Sequence, residues 1–237
     1  SVSTAGKGTG NGLGNQGSLA ISRHHQWLFV VNAGSNEISS FKITKKGLKL
    51  VNIVNSGGMR PVSVAVFDHL LYVLNADSDS IAGYMFDNQG QLTPLENSTR
   101  KLSGVGTAPA EISFNPWGDL LVVTEKATNR IDTWQVRSNG LTSKTIVNAS
   151  AGTTPFGFKF NRRGELVVSE AAAGALDASS TSSYRVLNDG SLQIASAAVP
   201  TTETAACWVM PSPNGRYASL ANPGPASISG YHIHPHG

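Results

Sequence analysis

The sequence has 237 residues, enough to bury a sizeable core, and its 18 Lys+Arg against 15 Asp+Glu leave a charge of +3, too thin and scattered for a nucleic-acid footprint. One cysteine, Cys207, excludes an intrachain disulfide framework and multi-cysteine zinc sites. No apolar run approaches the ~18 residues of a membrane helix, and abundant Gly, Ser, Thr and Asn with scarce Glu, Lys and Leu favour strands and turns over helices.

The chain opens with Ser1-Val-Ser-Thr4, which reads as an outermost strand detached from its sheet. The glycine-rich run over 6–14 follows. It lacks the Gly-Lys-Ser/Thr ending and the following helix of a phosphate loop, so it is predicted to be a flexible connection.

A first unit then begins, with strands predicted over 18–22, the apolar run Trp27-Leu-Phe-Val-Val-Asn32, the stretch Ile38-Ser-Ser-Phe41, and the residues after Gly47. The order repeats. The second unit has 62–66, Leu71-Tyr-Val-Leu-Asn75, Ile81-Ala-Gly-Tyr84 and the residues after Gly90. The third has 111–114, Leu120-Leu-Val-Val-Thr-Glu125, Ile131-Asp-Thr-Trp134 and the residues after Gly140. The fourth has 157–160, Leu166-Val-Val-Ser-Glu170, Ser182-Ser-Tyr184 and the residues after Gly190, with about five extra residues within 171–180. The fifth has 207–210, 217–222 and Ile228-Ser-Gly-Tyr231, and stops after its third strand.

Phe41, Tyr84, Trp134, Tyr184 and Tyr231 mark one column, recurring at 43 to 50 residues, the size of a four-stranded blade. A small sheet of that kind buries its faces only by stacking on its neighbours, so the predicted fold is an all-β propeller of four-stranded blades, with a two-sheet sandwich as runner-up. Residues 1–237 form one such domain or a section of one. Either residues 1–4 complete the fifth blade and close the ring, or the five units belong to a larger propeller.

With these columns in place the chain resembles the lactonase-like propeller family, which includes 6-phosphogluconolactonase and fungal carboxymuconate cyclase. The resemblance spans essentially the whole chain. It is carried by Trp27-Leu-Phe-Val-Val-Asn-Ala-Gly-Ser-Asn-Glu-Ile-Ser-Ser-Phe41, Gly58-Met-Arg-Pro-Val-Ser63 and Val123-Thr-Glu-Lys-Ala-Thr-Asn-Arg-Ile131. It implies seven blades, two more than are visible, and lactone chemistry by acidic residues, histidine and arginine around a central channel. Glu170 matches the acidic position closing a second strand in the cyclase-like members, and Glu125 stands where other members carry an acid. The basic partners are unmatched: Pro109-Ala-Glu111, Pro155-Phe-Gly157 and Ala205-Ala-Cys207 occupy their places.

Up-and-down strand order puts the end of each second strand beside the start of each first strand. Glu125, Glu170, Asn32, Asn75 and Asn222 are therefore expected to ring one mouth of the channel, with Arg60 and Glu111 nearby. One reading makes Glu125 and Glu170 an acid/base pair that raise one another's pKa, with Arg60 or Arg130 holding an anion. The other makes these residues turn caps, or solvated partners of Lys126 and Arg130. The inserted residues 171–180 are either a tolerated surface loop, the favoured reading, or a lid hinged at Gly174 that brings Asp177 near a buried Glu170 and points Asp177 or Leu176 at the channel.

His232, His234 and His236 alternate, so a strand would put them on one side, but at a chain end they predict no specific metal site. Cys207, in an apolar inner strand, reads as inert. Asn97 and Asn148 head glycosylation triplets. The expected function is a lactonase-like propeller that binds or hydrolyses a lactone or sugar-acid-like ligand at the mouth. The alternative is a non-catalytic module that binds a protein or glycan, or a structural part of a larger assembly. No cofactor, nucleic acid or membrane is expected, only a small molecule or protein partner, and no oligomeric state follows. A secreted or periplasmic location is favoured over the cytoplasm.

Overall fold

The computed structural model describes residues 2–234. Its strands follow one another as antiparallel meanders. Blade 1 comprises β1 (Leu19–Ile21), β2 (Trp27–Asn32), β3 (Glu37–Thr44) and β4 (Gly47–Asn55). Blade 2 comprises β5 (Pro61–Phe67), β6 (Leu70–Asn75), β7 (Ser80–Phe86) and β8 (Leu92–Pro94), with β9 (Arg100–Lys101) resuming the outer edge on β7. Blade 3 is β10 (Pro109–Phe114), β11 (Leu120–Glu125), β12 (Arg130–Gln135) and β13 (Ile146–Ala149). Blade 4 is β14 (Pro155–Phe160), β15 (Leu166–Glu170), β16 (Ser180–Val186) and β17 (Leu192–Pro200), and blade 5 is β18 (Trp208–Pro211), β19 (Tyr217–Asn222) and β20 (Ser227–His232). One 3-10 turn, Ala172–Gly174, lies among the described residues.

The innermost strands pack in the order β1, β5, β10, β14, β18, which is the radial arrangement of a propeller and not of a sandwich. Alternation on each strand sends apolar residues to both faces, and each interface between consecutive blades holds its own core. Phe29, Val31 and Ile38 of blade 1 meet Leu71, Val73 and Tyr84 of blade 2. Tyr72 and Leu74 meet Ile112, Leu121 and Trp134. Val122 and Ile131 meet Phe158, Val168 and Tyr184, and Val167 meets Val209, Ala218 and Leu220.

The column tyrosines satisfy their hydroxyls by reaching back to the preceding blade. Tyr84 Oη donates to the Asn55 carbonyl at 2.6 Å, Tyr184 Oη accepts from the Ala151 N–H at 2.8 Å, and Tyr231 Oη donates to the Pro200 carbonyl at 2.9 Å. Burial pushes the Tyr84 phenol up to about 12, so these hydroxyls stay protonated donors or acceptors at working pH. Glycine at the turn between third and fourth strands completes the packing. Gly90, at φ +79°, lies flat on the Trp27 ring, and a Cβ there would sit 2.4 Å from it.

Ser1 lies outside the described residues, and ring closure by residues 2–4 is not found. Residues 2–4 lie outside any strand, and the Thr4 carbonyl accepts from Ser39 Oγ in blade 1 at 2.8 Å. The sheet of blade 5 has three strands among the described residues. Its outward face exposes Trp208, Met210, Tyr217 and Ile228, and β1 at the other end exposes Leu19 and Ile21.

Candidate functional site

The register puts Asn75 opposite Pro61, Glu125 opposite Pro109 and Glu170 opposite Pro155, so second-strand ends and first-strand starts share one mouth, as the repeat predicts. Asn32, Asn75, Glu125, Glu170 and Asn222 are all buried there. Each ties its strand end to a neighbouring chain segment. Asn32 Nδ2 donates to Ser39 Oγ at 2.8 Å, Asn75 Nδ2 to the Ser56 carbonyl at 3.0 Å, and Asn222 Nδ2 to Ser229 Oγ at 2.9 Å. Close approach of the loop between blades requires glycine: a Cβ on Gly6, Gly58 or Gly152 would overlap Asn32, Asn75 or Glu170 respectively.

The two glutamates are fully enclosed and separately satisfied. Glu125 accepts from the Ser103 N–H at 3.0 Å, from Ser103 Oγ at 2.5 Å and from Thr128 Oγ1. Glu170 accepts from the Gly152 N–H at 2.9 Å, from Ser182 Oγ at 2.5 Å and from Ser180 Oγ. Carboxylates held by this many donors fasten loops, and each glutamate has its own donor set instead of the other glutamate as partner.

The acid coupled to Glu125 is Asp132, which the sequence reading passed over. Asp132 on β12 is fully buried, and neither carboxyl oxygen has a donor. Burial, followed by the hydrogen bond and charge of Glu125, pushes it up to about 8, against smaller lowering effects of Ser103 and Arg130. Asp132 therefore carries a proton at neutral pH. The signal was in the columns: the same place holds Ser39, Ser182 and Ser229 in other blades.

Lys126 is the second residue underrated from sequence. Its Nζ donates to the Gly14 carbonyl at 2.6 Å and lies 5.2 Å from the centre of the Phe156 ring. Burial and the nearby Arg60 charge lower its pKa, and Cys207 raises it slightly. Arg60, held at φ +53°, binds Asp77 through Nε at 2.5 Å. Arg130 is exposed at the rim opposite Glu125, away from the ion pairs seen among the described residues.

The residues that follow the glycine-rich run are anchored. Gln16 N–H donates to the Ala110 carbonyl at 3.0 Å, Gln16 Nε2 to the Cys207 carbonyl at 2.6 Å, and Gly17 accepts from Val64 N–H at 2.8 Å. Residues 14–17 thus cross the mouth, bonding to blades 2, 3 and 5. Beneath them a cavity of about 320 Å³ runs along the inner strands, lined by Val64, Phe67 and Phe114 and by the Glu111–Lys159 pair. Glu111 accepts from Lys159 Nζ at 2.5 Å and from the Phe158 N–H at 2.9 Å, so it joins blades 3 and 4.

The lid geometry is not found. Asp177 accepts from Thr204 Oγ1 at 3.3 Å and receives no approach from Glu170, and Leu176 is 82% exposed. Glu170 is buried by its own blade and the Gly152 loop. His232 and His234 stack edge-on at 4.8 Å, while His236 falls outside the described residues, among which no group of three His, Cys, Asp or Glu could hold a metal. Cys207 lies just ahead of β18, half-buried, and burial raises its thiol pKa. Asn148 donates to the Ile131 carbonyl at 3.0 Å, which occupies the amide a glycan would need.

Residues 1–105 match the family described as Lactonase, 7-bladed beta-propeller. Solved structures align along nearly all of the chain. A protein from Lactobacillus plantarum superposes with a TM-score of 0.74 at 18% identity, covering 92% of this chain and 67% of its own. The chain has a lactonase-like propeller fold. A putative 6-phosphogluconolactonase from Bacteroides uniformis superposes on this lactonase-like propeller at 0.73, with 18% identity and coverage of 92% and 67%. A periplasmic gluconolactonase from Pseudomonas aeruginosa gives 0.68, with 18% identity and coverage of 92% and 66%. An uncharacterized protein of Staphylococcus aureus (strain USA300) is 32% identical over 94 residues, 37% of this chain, so the match spans 28% of that relative's length.

Proposed function

We propose that this lactonase-like propeller binds a small anionic ligand, a sugar acid or its lactone, at the channel mouth, with Lys126 and Arg60 recognising the anionic group. The observation that carries this reading is the setting of Lys126. Its half-buried ammonium has a backbone carbonyl and an aromatic face for company, and no carboxylate of the described residues lies within ion-pair distance. A cation desolvated beside another cation gains most from an incoming anion, which would replace the Gly14 carbonyl. Two of the structural neighbours carry the names of gluconolactonases, whose products are sugar acids. Glu125 and Glu170 are assigned to holding the mouth loops, and binding, not hydrolysis, is the step this chain's own residues support.

Calorimetric titration with gluconate, 6-phosphogluconate and neutral glucose tests the reading. Wild-type protein is expected to bind an anion and not glucose, and Lys126→Gln to bind it at least about tenfold more weakly, the scale of one lost charge-assisted hydrogen bond. Equal affinities in the two proteins, or no anion binding by wild type, overturn it in favour of a protein- or glycan-binding module.

A further inference from the structure

The charge that looks scattered along the sequence is gathered by the fold. Blade 1 carries Arg23, Lys42, Lys45, Lys46 and Lys49 against Glu37 alone, a net +4 where the whole chain has +3. No acidic residue occurs between Glu37 and Asp68. The hairpin of β3 and β4 sets Lys42 directly opposite Lys49 and puts Lys45 and Lys46 in its turn. All four are exposed, and none forms an ion pair with the described residues. Like charges facing one another across a ladder cost stability, so the arrangement asks for an external anion.

Meander topology brings the turn between β1 and β2 to the same end, on the side of the propeller opposite the mouth. There a cleft of about 290 Å³ lies between blades 1 and 2, lined by Arg23, His24, Gln26, Asp68, Asn88 and the Trp27 edge. Lys42 Nζ sits 5.8 Å from the centre of that Trp27 ring, so the lysine hairpin adjoins the cleft.

We infer that this underside is a binding site for an acidic polysaccharide, with one sugar in the cleft and the carboxylates of neighbouring units along the four lysines. A cleft of uncharged amides, the imidazoles of His24 and His69 and a weak 3.8 Å Arg23–Asp68 pair offers donors and acceptors at the density that sugar hydroxyls need. Nucleic acid fits less well because the aromatic rings here, Trp27 and Phe86, are only 6% and 5% exposed and offer no face for stacking bases. An anionic membrane fits less well because no large apolar side chain is exposed between Arg23 and Ser56 to enter it.

The test uses the whole chain and polygalacturonate as probe, with double-stranded DNA and phosphatidylserine vesicles as comparisons. Wild type is expected to bind polygalacturonate, more weakly as salt rises. Replacing Lys42, Lys45, Lys46 and Lys49 together by Ser is expected to weaken binding at least about tenfold, by loss of charge. The double variant Gln26→Ala, Asn88→Ala is expected to lose about threefold or more for polygalacturonate alone, by loss of one or more hydrogen bonds. All six side chains are exposed, so neither variant is expected to melt below wild type. Absence of wild-type binding, wild-type affinity in either variant, or equal affinity for DNA or vesicles overturns the assignment.

Discussion

Replacing Asp132 by Ser, the residue that blades 1, 4 and 5 carry at this position, should stabilise the protein at neutral and alkaline pH. In the folded chain Asp132 keeps its proton up to about pH 8, whereas an exposed aspartate releases it near 3.8. Between those values the native state binds one proton more than the unfolded state, so stability falls as pH rises through the window. At about 1.4 kcal/mol per pH unit, the penalty accumulated by pH 7 is on the order of 4 kcal/mol as an upper bound. Above pH 8 the proton leaves, and two buried carboxylates face each other with Asp132 lacking any donor. Urea unfolding from pH 4.5 to 8.5 reads the effect as the difference between the two proteins, which cancels the other titrating groups. The wild type should lose stability against Asp132→Ser steadily up to about pH 8, beyond which the difference levels off. Parallel profiles, or a variant weaker than wild type at pH 8, would refute the retained-proton account.

Glu170→Gln should destabilise the fold by about 1–3 kcal/mol, because the Gly152, Ser180 and Ser182 donors converge on a carboxylate and an amide nitrogen cannot accept; equal urea midpoints would contradict this. Gly90→Ala should lower the melting temperature, costing about 1–3 kcal/mol through the Trp27 overlap and the positive φ together, and a melt unchanged from wild type would show that the turn can shift.

The blades were legible because a hydrophobic period of two and a column of aromatics survive in every unit. Even the mouth positions were correctly gathered, since up-and-down order alone fixes which strand ends meet. What the sequence did not reveal was the wiring. Glu125 and Asn75 look alike as polar strand ends, yet one is matched to Asp132 and Thr128 and the other to a backbone carbonyl at Ser56. Lys126 reads as a solvated charge until the fold sets Phe156 and Gly14 around it. The course of residues 14–17 was hidden for a related reason: glycine signals freedom in the unfolded chain, and its carbonyls can still be claimed by side chains far away in sequence. Proximity along the chain to Glu170 likewise says nothing of Thr204, which sits 27 residues on from Asp177 and captures it.

The segment across the mouth also orders events in time. Gln16 precedes its partner carbonyl at Cys207 by 191 residues. Its bond to Ala110 and the Gly17 bond to Val64 can form once three blades exist, whereas the Cys207 bond waits for the fifth. Closing so long a loop is entropically slow unless the intervening blades have already condensed one upon another. The last hydrogen bond of this segment therefore reports the docking of the fifth blade: it is made by Gln16 Nε2, whereas the Gln16 backbone N–H is already satisfied by the Ala110 carbonyl of the third.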